Sequence, residues 1–306
     1  MKRFLKSAVL ETVKRRNGFF SSVGFNRTVL GFLKIGFEPP RRATYPNGAS
    51  AACVISLDFD HVTRSSRPGS ERWFPKRVED LLVKNRIGTR DMLGVSEKYS
   101  VPMTWAICGQ TAEEDPESYN LIRRSKNAEQ EIGVHTYSHA DVASCSSEEL
   151  EEEVKKCLRV LDLPQNPKTF IFPWNRSAHF DLLEKMGFIA YRDQTRSIGT
   201  PREHSGLLDI PPTYYVDGKS YRTQALMKKY LDLCISWDSV FHLWLHPWSV
   251  VLDDSGRFVR DTLDPLFLYI MRKREEGVLA TCTMGGLASF WRGQKQQLSP
   301  GKSLPK

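Results

Sequence analysis

The sequence contains no hydrophobic run that approaches the roughly 18 residues needed to span a bilayer, which argues against an integral membrane protein. It has no pair of cysteines at CxxC spacing, and its six cysteines are scattered. At this chain length we therefore expect reduced core cysteines rather than a disulfide framework. The first apolar stretch is broken by Lys6, Glu11 and Lys14, so it lacks the continuous apolar segment of about 7 to 15 residues found in a secretory signal. These absences predict a cytoplasmic protein.

Most of the chain also lacks an excess of positive charge. The 306 residues carry 44 Lys and Arg against 36 Asp and Glu, a net charge of +8. Residues 1–42 hold ten basic and two acidic residues, which leaves 34 of each sign in residues 43–306. A main body without net charge disfavours nucleic-acid binding over a distributed basic surface.

Residues 1–45 have the pattern of a basic, amphipathic, helical leader that ends near Pro39-Pro40. Two interpretations of it remain open. Residues 1–40 could lie on an anionic membrane surface, which would place the protein at the inner face of the membrane. Alternatively, the leader is a solvated helix that packs on the body or contacts a partner.

Between residues 46 and 291, strand-like and helix-like segments alternate. The predicted strands are 51–58, 101–107, 131–134, 168–172, 188–191, 207–211, 240–246 and 278–282. The predicted helices are 89–99, 146–161, 177–186, 221–235 and 263–276, and the second of these starts with the capping-box pattern Ser146-x-x-Glu149. Repeated strand–helix units predict an α/β fold with a mainly parallel sheet that is closed or nearly closed. Residues 292–306 are polar and predict a disordered tail.

Polar side chains end four of the predicted apolar strands. They include an Asp pair, a His pair and a late His, at Asp58, Asp60, His135, His139 and His246. Polar groups are costly to bury unless they are paired or bind a ligand. In a barrel-like α/β fold the carboxyl ends of the strands meet at one face, so the pattern predicts one converging site.

His135 and His139 are four residues apart, and on a helical turn both imidazoles would lie on one face. Alone, this pair fits structural histidines equally well. Asp60 would complete a two-His, one-carboxylate set with open positions, the ligand class of a hydrolytic metal. Asp58 would then accept a proton from an activated water, although a cap of the following turn is an alternative role for it.

The order Asp58-Phe-Asp60, His135-Thr-Tyr-Ser-His139 and Leu-His246 resembles the NodB-homology polysaccharide deacetylases (carbohydrate esterase family four), over roughly residues 50–285. The resemblance implies a distorted (β/α) barrel of about seven parallel strands. It implies that Asp58 is the general base, that Asp60, His135 and His139 bind one divalent metal ion, and that His246 is the general acid. Zn is the expected metal, with Fe, Co and Ni as alternatives. The implied substrate is an acetylated amino sugar or glycan.

Two departures from the family pattern concern the base. Phe59 separates two acids that are adjacent in most of the family. One branch of the family has the same spaced form. In the third motif, Phe170 or Ile171 stands where an Arg usually orients the base. We predict that Arg176 supplies this guanidinium, with Arg192 as the alternative, because bidentate pairing would hold Asp58 ionised.

Three aromatic residues near the predicted strand ends, Trp174, Tyr137 and Trp248, are candidates for sugar-stacking walls, with core packing as the equally weighted alternative. Two rival functions remain. One is hydrolysis of another linear or cyclic amide on the same fold. The other is a catalytically inert sugar-binding or membrane-associated module, which the presence of a base, three ligands and an acid argues against.

Overall fold

The computed structural model describes residues 36–37, 43–60, 78–126, 128–193, 197–216, 223–251 and 256–298. The predicted basic leader spans residues 1–45 and its membrane contact residues 1–40, and of these only residues 36–37 and 43–45 are described. Its helix and its membrane contact stay predictions. No helix in the described ranges is long and apolar enough to cross a membrane. All six cysteines are free thiols, as predicted, and only Cys145 is not fully buried.

Strands and helices alternate along the described chain. The strands are β1 (Gly36–Phe37), β2 (Ala51–Phe59), β3 (Met103–Ile107), β4 (Gln130–Val134), β5 (Thr169–Ile171), β6 (Ala190–Arg192), β7 (Ser197–Ile198), β8 (Arg202–His204), β9 (Leu207–Asp209), β10 (Tyr214–Val216), β11 (Val240–Leu245) and β12 (Leu279–Thr281). The helices are α1 (Val78–Tyr99), α2 (Gly109–Glu114), α3 (Pro116–Arg124), α4 (Ser147–Leu161), α5 (Phe180–Lys185), α6 (Thr223–Ser236), α7 (Asp264–Glu275) and α8 (Met284–Leu298).

One curled sheet organises the fold, with strand order β10-β11-β2-β3-β4-β5-β6-β9-β8 and with β12 paired to β2. Every pairing in this sheet is parallel except that of β8 with β9. Strands β1 and β7 form a separate parallel pair. The predicted α/β fold with a distorted (β/α) barrel is therefore confirmed. All eight predicted strands are present, and β8 and β10 are two that the sequence pattern did not reveal.

Strand β2 is buried along its whole length because it lies at the centre of the sheet, between β11 on one side and β3 and β12 on the other. Cys53, Ile55 and Leu57 belong to the larger apolar cluster, which the helices cover. Ala52 and Val54 belong to a second cluster on the opposite face. Side chains alternate along a strand, so this second face continues through Ser56 and Asp58 toward the carboxyl end of the sheet.

Helix α4 begins with the predicted capping box. The Ser146 side chain accepts a hydrogen bond from the Glu149 backbone N–H, and the Glu149 carboxylate accepts one from the Ser146 N–H. Leu150, Val154 and Cys157 form its buried stripe, as the apolar spacing predicted. At the other end of the chain the prediction was wrong: helix α8 continues to Leu298, so residues 292–298 are helical.

Candidate active site

Two neighbouring strands deliver four polar or aromatic side chains to the same face. Asp58 lies on β2, and Asp60 is the second residue after it. On β11, the alternation of side chains places Trp244 on the same face, and His246 follows just after the end of the strand. Asp58 and Asp60 are buried, with exposed fractions of 3% and 4%. The polar ends of these apolar strands therefore converge, as the sequence predicted.

His135 and His139 reach this face on a loop after β4. The His135 N–H continues the sheet by donating to the Ile107 carbonyl. Thr136 and His139 have φ values of 60° and 59°, in the left-handed region that non-glycine residues seldom adopt. These two residues turn the chain so that the two imidazole centroids lie 4.9 Å apart. A loop with two left-handed residues, rather than a helical turn, thus brings the pair together.

Asp60, His135 and His139 form a set that fits a divalent metal. Each offers one ligand atom, these atoms lie within 4.8 Å of one another, and all three residues are buried. The Nε2 atom of His139 lies 3.3 Å from Asp60 Oδ2. His135 donates its Nδ1–H to the Ile171 carbonyl at 2.7 Å. This bond leaves the lone pair on Nε2, which is buried without a hydrogen-bond partner among the described residues.

The protonation states of these three residues also suit a metal. Burial lowers the pKa of His139 to about 3, and the neighbouring His135 contributes to the decrease. Burial lowers the pKa of His135 as well. Burial alone would raise the pKa of Asp60, but the nearby imidazoles, His246 first, hold it below its ordinary value. Two neutral imidazoles and one carboxylate are the protonation states that metal ligands require.

Asp58 is held by two donors. Arg192 Nη2 donates to Asp58 Oδ1 and Oδ2 at 2.8 and 2.6 Å. Trp244 Nε1 donates to Oδ2 at 2.8 Å. The Arg192 guanidinium also stacks 4.4 Å from the Trp244 ring centroid. Burial opposes ionisation of Asp58, but the positive charge of Arg192 and the nearby imidazoles lower its pKa below the ordinary value.

His246 lies beside both carboxylates. Its Nε2 atom is 3.7 Å from Asp60 Oδ2 and 3.9 Å from Asp58 Oδ2. Burial would lower the pKa of His246, but Asp60 and then Asp58 raise it above the ordinary value. The Tyr215 hydroxyl lies 3.5 Å from the other ring nitrogen, Nδ1. The imidazole therefore faces the same small volume as the base and the ligand set.

Residues 80–184 match the family model described as polysaccharide deacetylase. This segment contains His135 and His139, and the Asp pair, Arg192 and His246 lie outside it. This part of the chain is therefore similar to the polysaccharide deacetylases.

Several solved structures have a fold similar to that of this chain. A candidate polysaccharide deacetylase from Mycobacterium smegmatis is 18% identical, with a TM-score of 0.67, and the match covers 89% of this chain and 100% of that one. A probable polysaccharide deacetylase from Pseudomonas aeruginosa PAO1 is 15% identical, with a TM-score of 0.64 and coverage of 83% and 95%. Puue allantoinase is 17% identical, with a TM-score of 0.60 and coverage of 84% and 94%. At these identities the similarity concerns the fold.

The prediction that Arg176 orients the base is wrong. Arg176 forms an ion pair with Asp141, and its side chain is 42% exposed. Arg192 is fully buried and takes the predicted position on Asp58. The reason is the register of the sheet: Arg192 on β6 is the direct partner of Ile171 on β5. Ile171 is one of the two positions at which the family usually has the base-orienting Arg. Because Arg192 lies beside Ile171 on the neighbouring strand, it can supply the guanidinium instead.

A series of hydrogen bonds through Ser56 and His242 holds the Arg192 guanidinium on the side away from Asp58. Arg192 Nη1 donates to Ser56 Oγ at 2.8 Å, and Ser56 Oγ lies 2.8 Å from His242 Nε2. His242 Nδ1 lies 2.8 Å from the Ile210 carbonyl, which can only accept, so Nδ1 carries the proton. Burial and then the charge of Arg192 lower the pKa of His242 to about 3, so this imidazole is neutral. His242 is thus a buried histidine whose two ring nitrogens both have hydrogen-bond partners.

Two of the three predicted aromatic walls border the site. The Trp174 ring lies 4.8 Å from the His139 ring, and its Nε1 donates to the His139 carbonyl at 3.2 Å. The Trp248 ring lies 4.9 Å from the His246 ring. Tyr137 instead donates its hydroxyl to Glu113, and Lys156 Nζ lies 3.5 Å from its ring centroid. Contact of these three residues with a substrate stays a prediction.

Trp244 and Tyr215 are the site residues that the sequence reasoning missed. Trp244 lies two residues before His246, so strand alternation alone puts both side chains on one face. For Arg192 a signal was available too, because it directly follows a predicted apolar strand. Tyr215 has no such signal, since its strand β10 was not predicted.

Proposed function

We propose that this protein is a metal-dependent hydrolase that removes the N-acetyl group from an amino sugar or glycan. One observation carries the proposal: a buried Asp60, His135 and His139 set lies beside an Asp58 that Arg192 holds in its ionised form. The match of residues 80–184 to the polysaccharide deacetylase family model supports the choice of an acetylated glycan. Trp174 and Trp248 would bind the sugar faces at the two sides of the site.

A divalent metal held by Asp60, His135 and His139 would supply Lewis-acid activation of a water and of the acetyl carbonyl. The three protein ligands leave open positions for water and substrate, as in other hydrolytic sites. The Ile171 carbonyl holds the proton of His135 on Nδ1, so the Nε2 lone pair stays available beside Asp60 and His139. All three ligand residues are buried, so bulk water would not compete with the metal for their ligand atoms.

Asp58 and His246 would divide the proton transfers. Asp58 is ionised, and Arg192 and Trp244 fix its orientation, so it would accept the proton of the attacking water. His246, with its raised pKa, would donate a proton to the departing nitrogen. The two groups lie 3.9 Å apart, which lets both act on one tetrahedral centre.

Acetate release from N-acetylated amino-sugar oligomers tests this proposal. We expect the zinc-loaded protein to release acetate and the Asp58→Asn variant to be slower by about 10²- to 10⁴-fold, because the amide cannot act as a base. Asp181→Asn, at an exposed position, is the matched control and should retain wild-type activity. An Asp58→Asn variant as active as wild type would exclude Asp58 as the base.

Ring opening of a cyclic amide is a second candidate function. The spaced Asp58-Phe-Asp60 pair favours it, as does the fold similarity to Puue allantoinase. Incubating the same zinc-loaded protein with allantoin separates the two functions. Ring opening without acetate release from glycans would favour the cyclic amide. If neither reaction occurs while glycan binding survives Asp58→Asn, the protein is an inert binding module.

A further inference from the structure

The acidic start of helix α4 contains one carboxylate, that of Glu153, which is half-buried and hydrogen-bonded to another segment. The run from Glu148 to Glu153 reads as a solvated helix start, and Glu152 is indeed exposed. Glu153 is half-buried, and its Oε2 atom accepts hydrogen bonds from the backbone N–H groups of Tyr137 and Ser138 at 3.0 and 2.9 Å. Its Oε1 atom accepts a third from the Ser138 hydroxyl at 3.0 Å. All three bonds go to the loop that joins His135 to His139.

This loop has a backbone conformation that requires support. Thr136 and His139 both have positive φ, which is strained for residues with a side chain, and most of all for the β-branched Thr136. Between them, two successive N–H groups point at one oxygen of Glu153. Converging backbone N–H groups of this kind form a concave site for an anion, and here the anion is a side chain of the same protein.

The opposite side of the loop is fixed by the start of helix α2. The Gly109 N–H donates to the Thr136 carbonyl at 3.1 Å, and the Gln110 N–H donates to the Tyr137 carbonyl at 2.9 Å. Helix α2 thus holds the Thr136 and Tyr137 carbonyls, and Glu153 holds the Tyr137 and Ser138 N–H groups. Without Glu153, these two N–H groups and the Ser138 hydroxyl lose their acceptor, while the bonds from α2 remain.

We propose that Glu153 is a positioning residue of the metal site: its carboxylate holds the 135–139 loop in the conformation that brings His135 and His139 to Asp60. It does not contact the ligand atoms and acts through the loop backbone. This inference rests on the proposed metal-binding function.

The test is the affinity for Zn²⁺, measured by competition with a chromophoric chelator. We expect Glu153→Ala to bind Zn²⁺ about tenfold more weakly or worse, the range typical of lost support for metal ligands. Glu153→Gln should lie between wild type and Glu153→Ala, because its amide oxygen still accepts the two N–H bonds but carries no charge. Glu152→Ala, one residue earlier and exposed, is the matched control and should bind as wild type does.

The outcomes separate the inference from the proposed function. Zn²⁺ affinity of Glu153→Ala within twofold of wild type would overturn the inference, even if its melting temperature falls, since a merely structural role moves stability alone. If Glu153→Ala does not fold, Glu153→Gln decides: binding that is more than twofold weaker supports the inference, and binding within twofold of wild type overturns it. A wild-type protein that binds no Zn²⁺ would instead contradict the proposed function.

Discussion

Replacing Arg192 by methionine should reduce kcat/KM for acetate release by roughly 10³-fold, within the range for loss of a general base. The substitution removes the guanidinium that holds both oxygens of Asp58 and keeps its pKa low. It also leaves a buried carboxylate without its charge partner, which costs about 3–5 kcal/mol of the free energy of unfolding. Steady-state kinetics and urea denaturation measure the two effects separately.

Two further variants show whether the effect belongs to Arg192. Arg192→Lys should be intermediate, because an ammonium keeps the charge but cannot reproduce the fork that contacts both Asp58 and Ser56. Arg176→Met should cost far less, since Arg176 is half-exposed and pairs with Asp141. Equal losses in Arg176→Met and Arg192→Met would contradict the assignment of the base-orienting residue to β6.

Gly88→Ala should lower both the stability and the kcat of the protein, although Gly88 lies outside the site. A Cβ atom at Gly88 would lie 1.9 Å from the Pro247 carbonyl oxygen and 2.6 Å from its carbon, so either helix α1 or the turn after His246 must shift. Overpacking of this kind costs about 1–3 kcal/mol of unfolding free energy. A shift of about 1 Å at a catalytic group can cost about 10²-fold in rate, so kcat should fall with the displacement of His246.

The same helix offers a matched control for this substitution. Gly94 is exposed, and a Cβ atom there would meet nothing within 4 Å. Gly94→Ala should therefore leave activity unchanged and stabilise the protein by up to about 1 kcal/mol, through its higher helix propensity. Comparing the two variants by kinetics and thermal denaturation isolates the contact with Pro247. Wild-type kcat in Gly88→Ala would show that the turn does not depend on this close approach.

The sequence predicted the parts of the site that each strand determines alone. Strand β2 is apolar and central, and alternation along it puts Asp58 on the inner face, so the order of residues is sufficient. The base-orienting Arg could not be chosen in the same way. Its identity depends on the register between β5 and β6, where Ile171 and Arg192 are partners, and this register is a property of the folded sheet.

Tertiary contacts also explain the wrong prediction for residues 292–298. Their polar composition is typical of a disordered tail, but helix α8 is held by contacts with distant segments. The Trp291 ring lies 5.8 Å from that of Tyr45, and Gln294 Nε2 donates to the Thr44 carbonyl at 3.1 Å. Arg292 donates to the Gly206 carbonyl. Nothing in the local sequence predicts these partners, which lie up to 250 residues away.

The metal content of the purified protein shows whether Asp60, His135 and His139 form a metal site. We would measure transition metals by mass spectrometry in purified wild-type protein, in His135→Ala and in His204→Ala, whose histidine is exposed and outside the site. We expect about one divalent metal per chain in wild type and in His204→Ala, and its loss in His135→Ala. A metal-free wild type that also fails to take up added Zn²⁺ or Co²⁺ would contradict this expectation.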